Sequence, residues 1–102
     1  MTRDEIIAAL RAHESELKSA GVLSLALVGS FARGDATESS DVDLVVRLTD
    51  DPEQRGFKYF GRLEKLTRQL EVILQKPVDV ITEPIEKVRL RREIERDRTV
   101  AF

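Results

Sequence analysis

Gly29-Ser30 and Asp41-Val42-Asp43, separated by ten residues, constrain this chain more than any other feature. Around them the sequence reads Val28-Gly29-Ser30-Phe31-Ala32-Arg33-Gly34, then a stretch of small and polar residues over 35–40, then Ser40-Asp41-Val42-Asp43-Leu44-Val45-Val46. Val22 to Val28 is rich in Leu and Val and predicts a strand buried on both faces. It runs into glycine, where backbone amides approach a ligand without an intervening Cβ. The Ser30 hydroxyl and the amides of the turn that follows are suited to donating to phosphate oxygens. Gly34 predicts the end of that short helical turn. Asp41 to Leu48 predicts a second strand, with Val42, Leu44 and Val46 alternating with Asp41, Asp43 and Val45.

Two carboxylates two residues apart on a strand project from one face. Held so close they repel unless cations lie between them. Hard divalent ions with oxygen ligands are the natural occupants, and Mg²⁺ shares its shell readily with phosphate oxygens. Val78-Asp79-Val80-Ile81 predicts a short third strand, whose Asp79 adds a third carboxylate. Three carboxylates can hold two metal ions about 3.5–4 Å apart, the arrangement that serves phosphoryl or nucleotidyl transfer. Arg33, one turn beyond Ser30, has two readings: it reaches a phosphate, or it braces the acids as a counter-ion.

The rest of the chain reads as scaffold. Thr2-Arg3-Asp4-Glu5 fits a capping box. Ile6, Ile7, Leu10 and Leu17 then mark one amphipathic helix, with Gly21 as its stop. His13, the sole histidine, falls on the inward side and reads as a boundary or packing residue rather than a catalyst. Thr49-Asp50-Asp51-Pro52 is turn chemistry, and Pro52 to Gly56 a polar, mobile connection. Phe57, Phe60, Leu63, Leu66, Leu70, Ile73 and Leu74 step by three or four and predict a long amphipathic helix with its aromatics in the core. Tyr59 lies off that stripe and is a weak ligand-contact candidate. Pro84 is suited to the start of a final helix, with Ile85, Val88, Leu90 and Ile94 inward. From Arg89 to Arg98 arginines mix with Glu93, Glu95 and Asp97; this is a salt-bridged face or a surface for a protein partner or a phosphate backbone.

A length of 102 residues suits one domain over 1–102. Hydrophobic content of 41% and charged content of 35% fit a soluble globular chain. The net charge of -2 argues against broad nucleic-acid binding, so no direct nucleic-acid partner is expected. With no cysteine, thiolate zinc sites and cysteine nucleophiles are excluded. An acidic start and the lack of any long apolar run make the cytoplasm the default expectation, with no membrane contact.

Gly29, Ser30, Asp41 and Asp43 match the signature of the nucleotidyltransferase superfamily with a DNA-polymerase-beta-like core: Gly-Ser, ten residues, Asp-x-Asp. Asp79 looks like the family's third acid. The short chain is similar to the minimal nucleotidyltransferases, the MNT or MntA-like antitoxins, from its first helix through its third strand. The resemblance implies an α/β fold, a small mixed β-sheet flanked by helices. It implies that Gly29 and Ser30 contact the triphosphate of ATP, and that Asp41, Asp43 and Asp79 ligate two Mg²⁺ ions. An acceptor hydroxyl would attack the α-phosphate and pyrophosphate would leave, with Asp79 as candidate base. It further implies a HEPN-family helical toxin as partner, with AMP passed to a toxin tyrosine. Two alternatives stand beside this: an antitoxin that neutralises by binding alone, and a small-molecule nucleotidyltransferase.

Overall fold

A computed structural model describes residues 1–50 and 56–102; the expected turn and connection over 51–55 fall outside the described residues. The elements in order are α1 (Arg3–Ala12), α2 (Glu14–Ser19), β1 (Val22–Val28), α3 (Gly29–Arg33), β2 (Val42–Leu48), α4 (Phe57–Leu74), β3 (Val78–Thr82), α5 (Val88–Asp97) and β4 (Thr99–Val100). The four strands form one sheet in the order β3-β2-β1-β4. β1 is antiparallel to β2 and β4, whereas β2 and β3 are parallel. The sheet is therefore mixed, and α4 supplies the crossover that a parallel pair requires.

The first helix starts as its sequence dictates. The Thr2 hydroxyl accepts from the Glu5 amide and Glu5 Oε1 accepts from the Thr2 amide, both at 3.2 Å. Ile6, Ile7, Leu10 and Leu17 are buried. The expected single helix is instead two, divided at His13, whose imidazole Nδ1 lies 2.8 Å from Glu16. Ala20 is the C-cap of α2, and Gly21 follows it with a φ of +97°, stopping the helix as expected.

Helices cover both faces of the sheet. On one, Leu25, Leu27, Val42, Leu44 and Val46 pack with apolar residues of α1, α2 and α4. On the other, Val28 and Val45 pack with Ile85 and Ile94, and with the half-buried Ile81 and Leu90. Burying each Leu or Val of this kind contributes roughly 1.5–3 kcal/mol. Double-sided burial of β1 is limited to Leu25–Val28; Leu23 is 53% exposed. A register irregularity between Val22 and Ser24 shifts the alternation, so that Val22, Leu25 and Leu27 all enter the larger core.

In α4, Leu66, Leu70 and Leu74 are buried as the stripe predicts, but Phe57 is 96% and Phe60 67% exposed. Helix geometry explains the correction. At 3.6 residues per turn, each backward step of three rotates the side chain by about 60°, so Phe57 lies about 180° from Leu66. Tyr59, seven residues before Leu66, returns to the inward face and is half-buried. In α5, which begins at Val88 rather than near Pro84, Ile94 is buried, but Val88 is 50% exposed. Val88 lies about 120° around the helix from Ile94. The short β4 carries no strand pattern in its sequence; Ala26 and Leu27 of β1 pair with Val100 and Thr99. Among the described residues, no helix is long and apolar enough to cross a membrane.

Candidate active site

Sheet register gathers the residues of interest. In the antiparallel pair, Asp43 of β2 stands opposite Val28, the last residue of β1. In the parallel pair, Asp43 stands beside Asp79 of β3. The turn after Val28 and two acids therefore meet at one end of the sheet. Asp41 precedes β2 by one residue and is exposed. Asp43 is half-buried, and Asp79 on the edge strand is exposed. Val45 enters the smaller core beneath α5, and alternation places Asp43 on that same face of the sheet.

Gly29 opens α3 with a φ of +73°, and a Cβ there would collide with the Asp43 carboxylate. Glycine is required on both counts. Phe31 and Ala32 anchor α3 in the larger core. Gly34 closes it in the left-handed conformation, with its amide and that of Asp35 donating to the Ser30 carbonyl, each at 3.0 Å. The Ser30 hydroxyl makes no hydrogen bond among the described residues.

Burial raises the Asp43 carboxyl above its ordinary value, and the charges of Asp79 and then Asp41 raise it further; Arg33 pulls it partly back. Three carboxylates thus compete for negative charge in one place, which a cation would relieve. Their oxygen donors suit a hard ion such as Mg²⁺. Among the described residues, no three His, Cys, Asp or Glu side chains are gathered as a ready-made metal cage. Asp41 and Asp79 are exposed side chains with rotamer freedom to close on an ion.

Arg33 pairs with neither Asp41, Asp43 nor Asp79. Its Nε donates to Asp35 and its Nη1 to Asp97, each at 3.1 Å. It nevertheless lines a cleft of about 300 Å³ together with Gly29, Ser30 and Asp43. The opposite wall is α5, through Leu90, Ile94 and Asp97. Sequence reasoning missed that wall: charge alternation along α5 marks a solvated helix, without showing which side covers a cleft. Part of the helix does carry the expected pairing, Arg89 with Glu93 and Arg96 with Asp97, whereas Arg98, just past its end, reaches back to Glu83.

A larger cleft, about 480 Å³, lies at the other end of the sheet beside Gly21, Thr49, Arg62 and Lys65. Among the described residues no carboxylate lines it, and Arg62 is bonded to the Gly21 carbonyl and to Thr49. Tyr59, one turn before Arg62, lines neither cleft. His13 takes no part in either cleft.

Comparison with known proteins gives consistent results. A family model described as nucleotidyltransferase domain matches residues 10–101. A provisionally named protein adenylyltransferase of Methanocaldococcus jannaschii is 38% identical over 98 residues, covering 94% of each chain. Protein adenylyltransferase MntA of Thermococcus cleftensis is 32% identical, covering 95% of this chain and 93% of that one. Among solved structures, a provisionally assigned minimal nucleotidyltransferase superposes with a TM-score of 0.75 at 28% identity, covering 97% of this chain and 95% of the other. A complex of tri-AMPylated HEPN toxin with MNT antitoxin from Shewanella oneidensis gives 0.53 at 16% identity, covering 89% and 70%, a likeness of fold.

Proposed function

Because the chain belongs to the nucleotidyltransferase domain family, we propose that it transfers AMP from ATP to a tyrosine of a HEPN-family toxin and so acts as that toxin's antitoxin. The observation that carries the reading is the register: the Gly29-Ser30 turn, Asp43 and Asp79 converge at one sheet end, with Asp41 two residues away. The names of the relatives support a protein as acceptor, and the HEPN complex supports its kind.

Each residue has a role its position suits. Ser30 and the amides that open α3 bind the triphosphate, with Gly29 allowing the close approach. Arg33, which lines the cleft, offers a guanidinium N–H to phosphate, its charge already offset by Asp35 and Asp97. Asp41, Asp43 and Asp79 would hold two Mg²⁺ ions, which when bound neutralise the carboxylates and the charge developing on phosphate oxygens. Asp43, half-buried and fixed by two strand neighbours, suits a permanent ligand. Asp79, exposed on the edge strand, is positioned to meet an acceptor arriving from outside. As the tyrosine oxygen bonds to the α-phosphorus, Asp79 takes its proton and the bond to pyrophosphate breaks. At about 300 Å³ the cleft is at the lower limit of small-molecule sites and leaves no enclosed room for a second small molecule, which favours an acceptor carried by a docked protein.

The test is pyrophosphate release from ATP and Mg²⁺ in the presence of the HEPN partner. Release that disappears in Asp41→Asn and Asp43→Asn supports the reading. Toxin neutralisation that survives both substitutions unchanged would replace it with neutralisation by binding.

A further inference from the structure

Arg33 arrives at the cleft with its guanidinium already held. Its Nε is bonded to Asp35 two residues on, a contact any short loop could make. Its Nη1 is bonded to Asp97, 64 residues away on the last turn of α5. The Asp97 side chain is only 8% exposed and also accepts from Arg96. Hydrogen bonds from Arg96 and Arg33 outweigh its burial and keep it ionised. Its carrier is fixed: Ile94, one turn earlier, is buried, and the chain after Asp97 pairs at once with β1. The remaining guanidinium nitrogen, Nη2, makes no hydrogen bond among the described residues. Arg33 and Asp97 both line the cleft that contains Ser30 and Asp43.

We infer that Asp97 is a positioning residue for the nucleotide: from α5 it fixes Arg33 across the cleft mouth, leaving Nη2 for the triphosphate. The inference rests on the nucleotidyltransferase reading of the site and adds a residue outside its motifs. A flexible arginine must lose rotamer freedom when it meets a phosphate; one already braced by two carboxylates has lost most of it beforehand. Asp35 and Asp97 together also compensate the charges of Arg33 and Arg96, so the brace adds no net repulsion toward an anion.

The experiment measures ATP binding and transfer kinetics in the presence of Mg²⁺ for the full chain and for Asp97→Asn, Asp97→Ala and Asp97→Glu. Loss of one charge-assisted brace should weaken ATP binding about tenfold in the Asn and Ala variants. The turnover at saturating ATP should change far less, and Glu should restore most of the affinity. Because Asp97 acts through Arg33, adding Asp97→Ala to Arg33→Ala should weaken binding no further than Arg33→Ala alone. A strap that merely joined α5 to α3 would lower the melting temperature of the free protein and leave ATP affinity unmoved. ATP affinity within twofold of the parent in folded Asp97→Asn overturns the inference while leaving the transferase reading intact. A parent chain that binds no ATP overturns both.

Discussion

Strand β2 has two faces with opposite tasks. Val42, Leu44 and Val46 turn one way and are fully buried against the leucines of β1, α1 and α4. Asp43 turns the other way, between Val28 and Asp79, at the open end of a cleft walled by α5. The first face gains stability from burial. The second buries Val45 beneath α5 and beyond it holds carboxylates that oppose one another's charge. Because side chains alternate strictly, a one-residue slip of β2 would exchange the two sets, so the core fixes where the acids stand. Stability and chemistry are separable by residue although they share a strand.

The largest expected effect is on the acidic face. Asp43→Asn should lower transfer by roughly 10²–10⁴-fold, the scale of losing a group that acts in the transition state. Its metal-free melting temperature should equal or exceed the parent's, since it removes a half-buried, repelled charge; a clear fall would break the division. Leu44→Ala, one residue away, should do the converse. Its cost is about 2–5 kcal/mol by urea titration, with activity per folded molecule unchanged.

Gly29→Ala tests where the faces touch. A non-glycine residue at φ +73° costs about 1–2 kcal/mol, and the new methyl displaces the Asp43 carboxylate. Activity should fall by more than stability does, comparing initial rates with melting temperatures. Smaller still is the pH effect. Asp43 keeps its proton to a higher pH when folded than when unfolded. The folded state therefore binds more protons in that window, and metal-free stability should decline as pH rises from the ordinary value of 3.8 through the raised one. Mg²⁺ at 100 times its dissociation constant would add about 2.7 kcal/mol. Urea midpoints with EDTA and with Mg²⁺ would show both, and Asp43→Asn should flatten both. Least of all, Phe60→Ser should shift stability by no more than about 0.5 kcal/mol, because the ring is exposed.

The parts of this division that could be read in advance are those that local spacing determines. Gly29 and Ser30 open α3 directly after β1, and Asp41 and Asp43 stand at the start of β2, so their separation along the chain becomes proximity through one antiparallel register. Asp79 was recognisable because Val78, Val80 and Ile81 bracket it as a strand, which then pairs beside β2. Features set by distant contacts were not readable. The two residues of β4 have no strand pattern of their own and are defined by the edge of β1. Phe57 and Phe60 satisfied a counting rule while rotating off the buried face, and Tyr59 moved the opposite way. The bond between Arg33 and Asp97 spans 64 residues, and no periodicity announces it.

The most direct test of the central claim is the intact mass of the HEPN-family partner after incubation with this chain, ATP and Mg²⁺. The account predicts a gain of one or more AMP units that is lost with Asp41→Asn and Asp43→Asn. A partner that forms a stable complex and gains no mass would contradict it.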